Sequence, residues 1–361
     1  MKRTAYILLI ALIATIGWIV YDLLAAAGSF KDIKPHFLGS AESVPIPVSG
    51  PEDISLDTAL GLAFISADDR RANQKSPGSV NGAILVMRLD DSTRAMRNVT
   101  PQGLTDFHPH GIALWVSPEK RRFLFAISHR TREYVHAVER FEWRNDSLIH
   151  LESIVDMERM TSPNDLVATG ERSFYATNDH FHGREGLSKT LEDYLRRAIS
   201  FVNLYDGKSF RKVATGIAYA NGINMSPDGS KVYVAATTGR KLLTYKRDAS
   251  DGSLTLMEET DLETGVDNIE LDEKGDLWIG CHPQMLKFVA HAADARKRSP
   301  SQVLHLRHRG EGGYETREVF LNDGVDYSGS TVAAVHRDRM LVGSVFEAQI
   351  LDCRMVSDEN R

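Results

Sequence analysis

One phrase recurs six times along this chain and constrains its fold more than any other feature: a polar side chain able to bind a metal, a short strand, a turn and a second strand. It appears as Pro51-Glu52-Asp53-Ile54-Ser55-Leu56, as Pro109-His110-Gly111-Ile112-Ala113-Leu114 and as Asn164-Asp165-Leu166-Val167-Ala168. It returns as Asn221-Gly222-Ile223-Asn224-Met225, as Asp267-Asn268-Ile269-Glu270-Leu271 and as Ser328-Gly329-Ser330-Thr331-Val332. With Asp53, His110, Asn164, Asn221, Asn268 and Ser330 as markers, the intervals are 57, 54, 57, 47 and 62 residues. Such a period holds four strands and their connections, which is one propeller blade, so six copies predict an all-β, six-bladed β-propeller. A β-sandwich is the rival, because short strands and Asp-Gly turns occur in any all-β protein, but it gives no reason for six copies in one phase.

In a propeller the first strand of each blade lines the central channel, so equivalent positions of successive repeats converge on one axis. The phased positions are Glu52 and Asp53, His110, Asn164 and Asp165, Asn221, and Asp267 and Asn268. Carboxylate and carboxamide oxygens in that number suit Ca²⁺, which takes six to eight oxygen ligands, and suit Zn²⁺ poorly. Turn chemistry explains any single Asn near a strand end. It does not require Glu52, Asn164, Asn221, Asp267 and Asn268 to share one phase. His110 is expected beside the channel, and His129, which follows the apolar strand Phe123 to Ser128, is expected to return to the same end. An imidazole there can exchange a proton with water, although ordinary hydrogen bonding accounts for either ring as well. His180, His182 and His282 are weaker candidates, and Tyr219 and Phe346 are expected as apolar contacts at the mouth.

At the N-terminus, Lys2 and Arg3 precede a run without charge from Ala5 to Val20. Residues 1–28 are therefore expected to form a membrane anchor or signal segment, 29–44 a linker and 45–361 the propeller. An uncleaved anchor places the propeller in the secretory lumen or extracellular space; cleavage near the small residues Ala25 to Gly28 would make the protein secreted. Asn98-Val99-Thr100 and Asn145-Asp146-Ser147 are glycosylation acceptors in that setting. With 49 acidic against 43 basic residues and a net charge of -6, the chain has no global positive field for nucleic acid. Between Arg184 and Ala198, Leu187, Leu191, Tyr194, Leu195 and Ala198 recur at helical spacing, which predicts an amphipathic helix resting on the propeller, over the mouth, or on a membrane surface.

Together the phrases Pro109-His110-Gly111-Ile112, Asn164-Asp165-Leu166-Val167-Ala168, Tyr175-Ala176-Thr177-Asn178-Asp179-His180, Ala220-Asn221-Gly222-Ile223-Asn224, Val266-Asp267-Asn268-Ile269 and Gly280-Cys281-His282-Pro283 resemble the paraoxonase/arylesterase family over nearly the whole chain. The resemblance implies hydrolysis of lactones and aryl esters, in some members of phosphotriesters, with two calcium ions. By its motifs Glu52, Asn164, Asn221, Asp267 and Asn268 would hold a catalytic ion. Asp53, the backbone oxygen of Ile112, and Asp165 would hold a structural one, and His110 with His129 would activate water. The substrate is expected to be a small apolar ester or lactone, with a membrane or lipid surface as partner of the N-terminal segment. One departure stands out: family members close the ring with a disulfide, and although Cys353 matches one partner, no cysteine precedes Glu52. Cys281 matches the family's unpaired cysteine, so no Cys281 to Cys353 bond is expected. Two other readings remain, a propeller lyase resembling strictosidine synthase and a propeller that only binds a protein partner.

Overall fold

Each repeated phrase forms the first strand of an antiparallel sheet in the computed structural model, which describes residues 2–310 and 313–356. Residues 1, 311, 312 and 357–361 of the expected segments lie outside the described residues. The six inner strands are Pro51–Asp57, Pro109–Val116, Pro163–Ala168, Ala220–Met225, Gly265–Leu271 and Ser330–His336. Each packs beside the next, and Ser330–His336 returns to Pro51–Asp57, so the sheets close into a six-bladed ring.

Side chains alternate between the two faces of a strand, and here both faces are buried. In the second blade Phe123, Phe125 and Ile127 pack against the third blade, while Leu124 and Ala126 pack against the first. One apolar cluster fills each of the six gaps between neighbouring blades. Truncating a fully buried ring such as Phe125 to Ala would cost about 3–5 kcal/mol.

Two strands come from the stretch expected to be a linker. His36–Phe37 extends the fifth blade by pairing with Tyr314–Asn322, and Gly39–Pro45 pairs with Gln349–Met355 as the outermost strand of the sixth. The N-terminal side of the chain thereby closes the ring onto its C-terminal end. The sequence signal was weak because Gly39–Pro45 is an edge strand with little apolar surface to bury; only Val44 in it is buried. Cys353 lies opposite Ala41 in this pairing, and Cys281 and Cys353 are both free and buried. Where a disulfide is missing, Arg94 ties Glu42 of the closing strand (2.5 Å) to Asp352 (2.6 Å).

The apolar N-terminal helix, Lys2–Ala26, exposes its length from Tyr6 to Tyr21, and the segment Arg3–Ala26 is long and apolar enough to cross a membrane. Its C-terminal end is built into the propeller. Ala26 and Ala27 are buried, and Met285 N donates to Ala27 O at 2.9 Å. Gly28 has φ +71, and a Cβ there would stand 2.0 Å from the Pro283 carbonyl oxygen, so a small residue is required by packing. A second helix, Gly186–Tyr194, occupies the predicted insertion with its polarity reversed from simple packing on the propeller. Leu187 is 75% exposed and Leu195 59%, whereas Glu192 is buried and accepts from Phe181 N (3.0 Å) and His182 N (3.1 Å). Arg196, just beyond this helix, pairs with Asp22 of the N-terminal helix.

Candidate metal centre and active site

All six inner strands break register at the same place: Pro51/Asp53, Pro109/Ile112, Pro163/Leu166, Ala220/Ile223, Val266/Ile269 and Ser330/Val332. A bulge leaves residues unpaired with the neighbouring strand and re-aims their side chains. The predicted site residues Glu52, Asp53, His110, Asn164, Asp165, Asn221, Asp267 and Asn268 all fall in or beside these bulges. Two glycines let adjacent inner strands approach there. A Cβ on Gly111 would lie 2.4 Å from Asp165 Oδ1, and one on Gly222 would lie 2.3 Å from the Asp267 carbonyl oxygen.

Glu52, Asn164, Asn221, Asp267 and Asn268 are each 5% exposed or less. Four of them present a buried oxygen with no hydrogen-bond partner: Glu52 Oε2, Asn164 Oδ1, Asn221 Oδ1 and Asn268 Oδ1. Their other ends are held. Asn164 Nδ2 donates to Asp179 Oδ2 (3.0 Å), Asn221 Nδ2 to Thr237 Oγ1 (3.0 Å) and Asn268 Nδ2 to Glu52 Oε1 (3.0 Å). The Asp267 carboxylate is positioned by His282 Nε2, 2.8 Å from its Oδ2. A buried acceptor without a donor is costly, so a group of such oxygens with their amides turned outward fits a hard cation.

Asp53 and Asp165 lie one residue further along their strands. Asp53 accepts from Ile54 N (2.8 Å) and Ile112 N (2.7 Å), and Asp165 accepts from Leu166 N (2.7 Å) and Ile223 N (2.8 Å). The amides orient the two carboxylates without neutralising them. Burial pushes Glu52 up to about 8 and Asp53 to about 7, with neighbouring carboxylates adding to both, and Asp165 is raised well above the ordinary range for the same reasons. Such a concentration of buried carboxylates calls for a cation. Ile112, Asp165 and Ile223 also line a cavity of about 270 Å³ with Glu270. Glu270, which sequence reasoning missed, is raised by burial and by Asp53. Its place in the repeated phrase, two residues after Asn268, was the available signal.

His110 and His129 meet edge to face with ring centroids 5.1 Å apart, but their nitrogens face other partners. Arg70 Nη2 donates to His110 Nδ1 at 3.0 Å, and Arg184 Nη1 donates to His129 Nε2. An arginine can only donate, so both ring nitrogens are acceptors. The neutral His110 then carries its proton on Nε2, 3.6 Å from Glu52 Oε1, and His129 carries its proton on Nδ1, donated to His136 Nδ1 at 3.0 Å. Burial first, and then the arginine charges, hold His110 and His129 well below the usual imidazole range, and His136 is lowered to about 4. Arg70, His136 and Arg184 escaped sequence reasoning because none shares the repeat phase. They arrive from the helix Arg70–Lys75, an outer strand and a loop.

Of the weaker candidates, His180 and His282 reach the site and His182 does not. His180 bridges Asp179 Oδ1 (2.6 Å) and Asp193 Oδ1 (2.8 Å), which raises it to about 9 despite its burial. His182 turns outward to Glu192. Tyr219 packs against His180 at 4.9 Å between centroids. Phe346 lies under Arg71 at 4.1 Å and beside Phe288, which stacks on His282 at 3.8 Å. A separate group, Asp272, Asp276 and His305, has ligand-like spacing, but Arg307 (3.0 Å) and His305 (3.1 Å) already occupy Asp276 Oδ2, and Trp278 Nε1 occupies Asp272 Oδ2 (3.1 Å).

The family described as Arylesterase matches residues 51–355, the ring from its first inner strand to its last strand. The chain belongs to the arylesterase family. Human serum paraoxonase/arylesterase 1 is 33% identical over 325 residues, covering 88% of this chain and 90% of the relative. Among solved structures, regucalcin of Agrobacterium tumefaciens, a calcium-binding protein, shares the fold at 14% identity and a TM-score of 0.52, over 89% of this chain and 96% of its own. A gluconolactonase of Xanthomonas campestris does so at 14% identity and a TM-score of 0.51, over 91% and 99%. As an arylesterase family member the chain is an ester hydrolase, with the six-bladed propeller expected from its repeats.

Proposed function

We propose that this arylesterase hydrolyses lactones and aryl esters with calcium held by Glu52, Asn164, Asn221, Asp267 and Asn268. The observation that carries the reading is the group of orphaned oxygens, Glu52 Oε2 and the Oδ1 atoms of Asn164, Asn221 and Asn268, on four different blades. A second ion is assigned to Asp53, Asp165 and the Ile112 carbonyl, where it would offset two carboxylates whose ionisation burial disfavours. The names of the relatives support the reaction class, and regucalcin's name supports the metal.

A bound calcium ion supplies a positive charge that polarises the ester carbonyl and stabilises the developing oxyanion. The chain's own groups do the rest. Asp179, Thr237 and His282 fix the oxygen donors through their partners Asn164, Asn221 and Asp267. His110 stays neutral at physiological pH and can take a proton from the attacking water at Nδ1 once Arg70 releases that nitrogen. Tyr219 and Phe346 border the mouth as apolar contacts.

The N-terminal helix is assigned as an uncleaved membrane anchor, because its last residues are part of the propeller's packing. The exposed leucines of the helix Gly186–Tyr194 are assigned to the same lipid surface, next to it through the Arg196 to Asp22 pair. The propeller then lies in the lumen or outside the cell, where Asn98 and Asn145, both exposed, are open to glycosylation. Purified protein assayed on lactones and aryl esters before calcium removal, after it and after restoration tests the reading. Loss and recovery of turnover with metal content is expected, and full turnover in verified metal-free protein would end it.

A further inference from the structure

Three arginines stand around the mouth without a carboxylate ion-pair partner among the described residues: Arg70, Arg71 and Arg184. Arg70 is held by the carbonyls of Pro109 (3.2 Å), Gly50 (3.3 Å), Asp68 (3.4 Å) and Val345 (3.5 Å) and by His110, with no carboxylate among these partners. Arg71 reaches the His291 carbonyl (2.5 Å) and covers Phe346, and its buried Nε has no partner. Arg184 donates to the His129 ring. The nearby carboxylates are committed elsewhere: Asp179 to Ser162, His180 and Asn164, and Glu52 Oε1 to Asn268. All three arginines are partly buried and feel carboxylates at a distance, Arg70 that of Glu52, Arg184 that of Asp179 and Arg71 those of Glu347, Asp69 and Asp294, but among the described residues no carboxylate meets their guanidinium groups directly.

A neutral imidazole is a poor substitute for the carboxylate that a guanidinium fork matches. Arg71 contacts the His291 ring and carbonyl, whereas Arg70 and Arg184 end at the pair His110 and His129, and His110 Nε2 stands 3.6 Å from Glu52 Oε1. Arg70 therefore sits one imidazole ring away from Glu52, and Arg184 stands behind the next ring, His129. We infer that Arg70 and Arg184 bind an anionic group of the substrate, so that the preferred esters or lactones carry a carboxylate besides the scissile bond. The inference rests on the hydrolase reading and alters its substrate class from apolar to acidic. Engaging that carboxylate draws the guanidinium groups off the ring nitrogens and exposes the His110 Nδ1 lone pair for the attacking water. Binding of the right substrate then prepares the base.

The test uses the full-length protein with calcium and two probes, γ-butyrolactone bearing a ring carboxylate and the same lactone bearing a carboxamide. The wild type is expected to favour the carboxylate by about tenfold or more in kcat/KM, a ratio set by leaving buried donors unpaired with the amide. Arg184→Gln, on a partly exposed loop, and Arg70→Lys should each bring that ratio toward one, with folding verified by melting. The preference should also fall as salt rises. Turnover of the carboxamide with a ratio of one or less, unchanged by either substitution, overturns anion recognition and leaves the hydrolase reading standing. No turnover of either probe or of a wider neutral panel overturns the hydrolase reading, and this inference with it.

Discussion

Asn164 Nδ2 donates to Asp179 Oδ2 at 3.0 Å, and that bond decides that the Oδ1 end of the amide is the one left without a partner. Asp179→Ala frees the amide to turn. Calcium affinity is expected to fall about 10–100-fold, as loss of an orienting partner does at other metal sites. Asp179→Asn, which keeps an acceptor oxygen, should lose less. Titration calorimetry on stripped, refolded protein measures both, and equal affinity in Asp179→Ala and wild type would remove the orienting role.

Calcium should stabilise the protein more as pH rises. Burial raises Glu52 to about 8 and Asp53 to about 7, above their unfolded values near 4.5 and 3.8. Groups raised on folding contribute stability that is complete below the unfolded value and is lost as pH climbs through the folded one. Metal-free protein is thus expected to lose stability between about pH 4 and 8, where deprotonation also opens the cation site. The calcium-induced rise in Tm should grow across that window and shrink in Glu52→Gln. A pH-independent rise would contradict it.

His180 gives a second pH dependence. Its value of about 9 lies above the ordinary 6.5, because Asp179 and Asp193 outweigh the burial that opposes them. Its stabilising contribution, about 2–3 kcal/mol for charge-assisted bonds, is complete below pH 6.5 and disappears as pH rises through 9. Melting curves of wild type and His180→Gln should therefore converge at high pH. A constant gap from pH 6 to 10 would assign the effect to packing.

The closing strand invites a bond that it lacks. Ala41 and Cys353 are directly paired across Gly39–Pro45 and Gln349–Met355, and directly opposed strand residues have Cα separations within disulfide range. Ala41→Cys should oxidise in vitro and stabilise by about 2–4 kcal/mol, since it ties the two ends of the ring in the unfolded chain. Mobility on a non-reducing gel and Tm with and without reductant check it; an oxidised variant that melts with wild type would mean native-state strain cancels the gain.

Much of the architecture was legible because repetition is a sequence property. The markers Asp53, His110, Asn164, Asn221, Asn268 and Ser330 all lie in inner strands, and their common phase reappears as a common bulge. Residues outside that phase were hidden. Arg70, His136 and Arg184 reach the two histidines from three different kinds of element, and Gly39–Pro45 reads as a linker because its pairing partner lies some three hundred residues away. Helical spacing located Gly186–Tyr194, but not which side faces inward, since a buried Glu192 depends on backbone amides from another loop.

Sequence alone determined the number of blades, the strand that lines the channel in each and the oxygen-bearing residues placed there, because radial symmetry turns equal spacing into convergence. Tertiary structure decided which atom each residue presents. An amide oxygen is left for a cation only when its nitrogen finds a partner, and an imidazole lone pair is covered only when an arginine from elsewhere in the fold comes to rest on it. Both are contacts between segments far apart in the chain, which no local pattern encodes.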